Sequence, residues 1–241
     1  MTASPPPIPN LDQTRVRALL FDIDGTLSDT DDQMVDRLYQ LLKHINFVFP
    51  AEKAHAFSRA VIRFLEAPGN WFLEFLDRLG LDGLLASYLD WQAQRPRSSE
   101  LSPADFPLVP GVVPMLEIVH KRYPLAVVSA RNEATTRLFL QHNNLEGFFD
   151  VVVTSQTTKL TKPFPDPLIH AAKALNIPIG NCLMIGDTAT DVRAALAAGA
   201  QSLSVLCGFG VEKRLRLAGT HAILHSTSEV ATYLTSSPAA L

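Results

Sequence analysis

The chain has 241 residues, of which 47% are hydrophobic and 19% charged, with a formal net charge of -3. That length suits one large domain, or one domain carrying an insertion, and buries enough surface to fold without disulfide or metal staples. The balance excludes a disordered chain and supplies no basic face for nucleic acid, and no apolar run reaches the about 18 residues that span a membrane. The two cysteines, Cys182 and Cys207, sit in apolar runs without metal-ligand spacing. They are expected as buried free thiols of a cytoplasmic protein, with neither nucleic acid nor membrane as partner.

In chain order, residues 1–14 are rich in proline and lack the basic and apolar regions of a secretory signal, which predicts a disordered tail. The run VRALLFD at 16–22 reads as a first strand, followed by a turn at Gly25. From 30 to 104 the strand signal stops. Four helix-like segments, 31–45, 51–66, 70–79 and 81–94, are separated by NFVFP, APGN and GLDG, and Trp71, Phe72, Phe75 and Leu76 read as part of their own core. A linker, RPRSSELSPADFPLVPG, ends this insert. Strands then alternate with helices: helix 112–122, strand 125–129, helix 133–143, strand 151–154, helix 166–175, strand 182–187, an Ala-rich helix 188–198 closed by Gly199, strand 202–206, and a sixth candidate at 221–225. Short apolar runs without polar alternation fit strands covered on both faces. The expected fold is therefore α/β, a Rossmann-like, mostly parallel sheet built from 15–29 and 105–235, with an all-helical, four-helix domain inserted at 30–104 and a short tail at 236–241.

Open α/β sheets bind ligands beyond the carboxyl ends of their strands. The first strand delivers Asp22 and Asp24 there, the second Ser129 and the fourth Asp187. Lys162 lies in the proline-flanked loop TKPFPDP, and Asp191 one helical turn beyond Asp187. Two carboxylates about 4 Å apart repel by about 4 kcal/mol at an effective dielectric near 20, and one lysine does not neutralise three. A hard divalent cation with oxygen ligands does, and Mg²⁺ is the expected cofactor. A metal, an ammonium and a hydroxyl donor converging on one place suit a phosphoryl group. One carboxylate can then act as nucleophile, and another two residues on as acid and base. Blander readings stand beside these. Ser129 could simply end a strand and Lys162 lie on the surface, while Asp191 could serve its helix dipole as well as the site. Asp29, Asp31 and Asp32 read as capping and solvated residues where the insert begins.

The segments DIDGTL, VVSAR, TKPFPDP and GDTATD, in this order, resemble the four motifs of the haloacid dehalogenase (HAD) superfamily over about 15–225. The helical insert resembles the family's C1 cap, as in phosphoglycolate-phosphatase-like members. The resemblance implies that Asp22 is a nucleophile forming an aspartyl-phosphate. Asp24 is implied as the acid and base, with its backbone carbonyl on Mg²⁺, and Thr26 supports it by hydrogen bonding in the turn and joins the phosphate-binding residues. Ser129 and Lys162 are implied to bind the phosphoryl group, Asp187 to bind the metal with Asp22 and Asp24, and Asp191 to orient Lys162 or a metal-bound water. Arg131, in the SARN turn, is the core candidate for contacting the leaving group, with Arg59, Arg63 and Trp71 as candidates in the insert.

The expected activity is Mg²⁺-dependent hydrolysis of a small phosphorylated metabolite, a phosphoric monoester. An Asp at position 24 favours phosphoryl transfer over carbon–halogen cleavage. A phosphomutase of the β-phosphoglucomutase type shares the core motifs and is the alternative. A phospho-receiver module combines similar residues, but its acids are adjacent on the first strand and it has no helical insert. SARN differs from the TN form common in phosphoglycolate phosphatases, so the substrate stays open, as does the oligomeric state.

Overall fold

The computed structural model describes residues 10–29 and 107–236, which belong to one of the chain's two units. The insert expected at 30–104, with Arg59, Arg63 and Trp71, lies outside the described residues, as do residues 1–9 and 237–241.

Six strands alternate with helices, as the sequence predicts. They are β1 (Ala18–Phe21), β2 (Leu125–Val128), β3 (Val151–Val153), β4 (Cys182–Gly186), β5 (Gln201–Val205) and β6 (Ala222–Leu224). The helices are α1 (Val112–Val119), α2 (Glu133–His142), α3 (Asp166–Ala174), α4 (Ala189–Ala198), α5 (Glu212–Ala218) and α6 (Val230–Thr235). All strand pairs are parallel, in the order β3-β2-β1-β4-β5-β6, which is the doubly wound Rossmann order. The winding reverses between β1 and β4, so their carboxyl ends flank the topological switch point.

The period of two along each strand sorts the core into two layers. Leu19, Phe21, Leu125, Val127, Leu183 and Ile185 pack on one face with Met115 and Leu116 of α1, Phe139 of α2 and Val230 of α6. Ala18, Leu20, Ala126, Val128, Cys182 and Met184 pack on the other with Leu168 and Ala171 of α3 and Ala194 and Ala195 of α4. The second layer is built largely from alanine, which lets α3 and α4 approach the sheet closely.

Three expectations need correction. Residues 12–14, expected in the tail, are ordered: Asp12 caps a 3₁₀ turn at Gln13–Arg15 and exchanges hydrogen bonds with the Gln201 amide (2.7 and 2.9 Å). The linker is paired at its inner end: Ser28 bridges Leu108, Asp29 N donates to Pro107 O at 2.9 Å, and Val109 N donates to Leu27 O at 3.0 Å. Helices α5 and α6, of seven and six residues, are additional to the predicted set.

Candidate active site

The site begins where β1 stops. Asp22 N still donates to Ile185 O of β4 (2.9 Å), which pins Asp22 at the switch point. The chain then turns tightly: the Ile23 carbonyl accepts from the N–H groups of Thr26 (3.1 Å), Leu27 (2.9 Å) and Ser28 (2.8 Å). Ile23 and Leu27 are fully buried, so the turn is anchored from below and the acids on either side of Ile23 are left above the sheet. Gly25 adopts the left-handed conformation (φ +70°), and a Cβ there would collide with the Asp187 carboxylate.

Lys162 joins the acids. Its Nζ lies 2.7 Å from Asp22 Oδ1 and 2.7 Å from Asp191 Oδ1, and its side chain is 5% exposed. Burial alone would lower the lysine pKa, but Asp191 and Asp22 beside it outweigh that and hold the ammonium charged, above its ordinary value. Burial pushes Asp22 up to about 7; Lys162 opposes this, while Asp191 and Asp24 add to it. Asp191 makes two sets of contacts. One oxygen meets Lys162, and the other accepts from Thr188 Oγ1 (2.6 Å) and Thr188 N (3.1 Å) in the capping box of α4.

Asp187, fully buried at the end of β4, accepts from Phe209 N at 2.8 Å. Phe209 belongs to the loop CGFG after β5, whose glycines press on Asp187: a Cβ at Gly208 would collide with its carboxylate, and one at Gly210 with its carbonyl. This loop was not foreseen; two glycines one residue apart directly after a strand were the available signal.

Carboxylate oxygens of Asp22, Asp187 and Asp191 lie within 4.8 Å of one another, and all three residues are buried. Three buried carboxylates gathered beside the Lys162 ammonium form an oxygen donor set of the kind that a divalent cation fits. Asp191 is committed to Lys162 and Thr188, so Asp22 and Asp187 are the carboxylates best placed to hold the ion. Asp24, the third residue of the expected metal set, is expected there through its backbone carbonyl, and its carboxylate is occupied by another partner.

Asp24 is paired with Arg131. Arg131 Nε donates to both Asp24 oxygens (3.1 and 2.9 Å), and Nη2 adds a contact to Oδ1. The side chain expected to face the leaving group thus grips the expected acid. Arg131 N donates to Ser129 Oγ (3.1 Å), which leaves the Ser129 hydroxyl hydrogen to donate elsewhere, and Ser129 N continues the ladder to Val153 O (2.9 Å). Thr26 is corrected: it does not support Asp24. Its Oγ1 is buried with no hydrogen-bond partner among the described residues, and its carbonyl accepts from Thr227 Oγ1 (2.6 Å) before α6. The tight turn that lifts Asp22 and Asp24 carries Thr26 inward. Both cysteines are free thiols, Cys182 buried and Cys207 half-buried, and burial pushes the Cys182 thiol up to about 11.

The haloacid dehalogenase-like hydrolase family model matches residues 19–205. The chain is 26% identical over 195 residues to a phosphoglycolate phosphatase of Aquifex aeolicus, covering 80% of this chain and 86% of the relative. It is 26% identical over 191 residues to the pyrophosphatase PpaX of Bacillus cereus, covering 79% and 83%. Among solved structures, a haloacid dehalogenase-like hydrolase family protein from Streptococcus pneumoniae shares the fold, with a TM-score of 0.70 at 23% identity over 92% of this chain and all of that one. A match running from β1 to the end of β5 takes in every strand end that builds the site, and on it the chain belongs to the haloacid dehalogenase-like hydrolases.

Proposed function

We propose that the protein is a Mg²⁺-dependent phosphatase that hydrolyses a small phosphorylated metabolite, a phosphate monoester, through an aspartyl-phosphate on Asp22, in the cytoplasm. The observation that carries this reading is Lys162 held between Asp22 and Asp191 at 2.7 Å from each, at the switch point of the sheet. The lysine fixes one Asp22 oxygen and leaves the other to attack phosphorus, and its positive charge reduces repulsion between a carboxylate and an incoming phosphate. The names of the Aquifex aeolicus and Bacillus cereus relatives, a phosphatase and a pyrophosphatase, agree with cleavage at phosphorus.

In this reading Asp22 forms the bond to phosphorus as the bond to the leaving oxygen breaks, and Asp24 gives that oxygen a proton. Asp24 then takes a proton from a water that attacks the aspartyl-phosphate, which releases phosphate and restores Asp22. Lys162 and the Ser129 hydroxyl donate to the phosphoryl oxygens. Mg²⁺ held by Asp22 and Asp187 supplies charge neutralisation for the phosphoryl group.

The test is phosphate release from a panel of phosphorylated metabolites, with Mg²⁺ and with EDTA. Release that EDTA silences and Mg²⁺ restores is expected. Release undiminished in EDTA would refute the metal dependence, and interconversion of sugar phosphates without phosphate release would point to a phosphomutase instead.

A further inference from the structure

The Asp24–Arg131 pair contains more than the hydrolysis needs. Arg131 uses Nε and Nη2, one edge of its guanidinium, on Asp24. A guanidinium carries five N–H donors in a planar fork, and among the described residues no acceptor meets Nη1. The residue is held firmly. Its N–H donates to Ser129 Oγ (3.1 Å), its carbonyl accepts from Ser155 N (3.0 Å), and its Cζ lies 5.4 Å from the centroid of the Phe139 ring. A cation fixed in this way loses little freedom when an anion arrives.

Position indicates where that anion comes from. The Asp22 and Lys162 side chains are 10% and 5% exposed, whereas Asp24 is 37% and Arg131 16% exposed. If phosphorus is attacked from Asp22, the leaving oxygen lies in line on the far side, toward Asp24. With Asp24 as the acid that protonates this oxygen, the atoms beyond it would lie beside the side chain that grips Asp24.

We infer that Arg131 is both the positioning residue for Asp24 and the specificity residue for the leaving group. One edge of the guanidinium fixes the acid, and the other receives an anion, a carboxylate or a second phosphoryl group, carried by the leaving group close to its ester oxygen. The inference rests on the phosphatase reading and narrows it: short phosphate monoesters bearing a second anion are preferred over phosphates of neutral alcohols. Because one side chain does both, reading the anion and orienting the acid are coupled.

The experiment measures kcat and KM of the wild type, Arg131→Lys and Arg131→Ala on ethyl phosphate, carboxymethyl phosphate, ethylene bisphosphate and 4-nitrophenyl phosphate, with Mg²⁺. The wild type is expected to prefer an anionic ester over ethyl phosphate by about tenfold or more in kcat/KM, the weight of one charge-assisted hydrogen bond. Which of the two wins identifies a carboxylate or a phosphoryl group. Arg131→Ala should erase that preference, and should lower kcat for ethyl phosphate more than for 4-nitrophenyl phosphate, whose leaving group departs without a proton. Arg131→Lys keeps the charge but not the fork, so it should recover part of the preference and little of kcat. A wild type without preference would overturn the inference, as would an equal loss on all four esters in Arg131→Ala, the pattern of a purely structural role. No release from any of the four by the wild type would overturn the phosphatase reading, and this inference with it.

Discussion

Two groups of buried polar side chains sit on the same sheet and are built on opposite principles. Beside β5 and β6, Ser202, Ser204 and Thr220 are buried and uncharged. Ser204 Oγ donates to Thr220 Oγ1 (2.9 Å), and Thr220 Oγ1 donates onward to Ala222 O (3.0 Å), so the hydroxyls close on one another and on the backbone. At the ends of β1 and β4, Asp22, Asp187 and Asp191 are equally buried, but three carboxylates face one lysine. Neutral buried polarity that satisfies itself serves the fold. Charged buried polarity is costly to hold in the fold, and in the proposed function a cation and a phosphate offset that cost. The contrast is open to attack from both sides.

The largest effect belongs to Asp22→Asn. Phosphate release should fall to background, because the amide is no nucleophile. The same substitution probes the empty site. Asp22 is held at about 7 in the folded protein against 3.8 in the unfolded chain, so between those values the folded state binds the extra proton. The stabilisation is therefore full below pH 3.8 and is lost as pH rises toward 7, by up to about 4 kcal/mol for a shift of this size. In EDTA, urea unfolding of the wild type should weaken from pH 5 to pH 8, and Asp22→Asn should flatten that slope. Identical slopes for the two proteins would dissolve the contrast.

Removing the Lys162 ammonium from the acids comes next. Lys162→Met leaves Asp22 and Asp191 buried without their ammonium, and loss of one partner of a buried pair costs about 3–5 kcal/mol. Mg²⁺ should restore part of this, since it binds only the folded site. The check is the urea midpoint with and without Mg²⁺. A loss under about 0.5 kcal/mol, the level of an ordinary surface substitution, would mean that the cluster is not strained by charge.

Much of this arrangement is legible in the sequence, for identifiable reasons. The strands from 125 to 187 are apolar runs bounded by turn residues, and periodicity captures them together with the acids and the serine at their ends. Lys162 and Asp191 follow from motif order and from one helical turn. The partnership of Arg131 with Asp24 does not follow, because past a strand end no period determines where a long side chain points. Thr26 misleads for a related reason: the polar residue of a surface-like motif is carried inward by a turn in which three N–H groups converge on Ile23 O. The Phe209 amide on Asp187 joins loops 22 positions apart, a contact set by the β4–β5 register and not by either loop. Helices α5 and α6 have too few turns to show a 3.6-residue pattern.

A smaller effect tests that unforeseen loop. Gly208→Ala places a methyl against the Asp187 carboxylate and the Gly25 carbonyl. The carboxylate must move, and a disturbed supporting contact typically weakens metal affinity about 10–100-fold. Titration of activity with Mg²⁺ should show the midpoint shifted by that factor, with most of kcat recovered at saturation. An unshifted midpoint would show that the loop does not position Asp187 for the ion.

The smallest effect lies in the hydroxyl group of side chains, and its sign separates the two principles. Thr220→Val keeps the shape but deprives Ser204 of its acceptor and Ala222 O of its donor, so unfolding should weaken by about 1–3 kcal/mol. Turnover should not change, because no charge and no group near Asp22 is altered. Adding Ser204→Ala should recover part of the loss, since removing both partners of a neutral pair is far less damaging than orphaning one. Pairwise removal where β1 and β4 end, Asp22→Asn with Lys162→Met, should leave a protein that folds and releases no phosphate. If the Thr220→Val and Ser204→Ala losses simply add, the hydroxyls do not form a self-satisfied unit, and the contrast between the two groups fails on its quieter side.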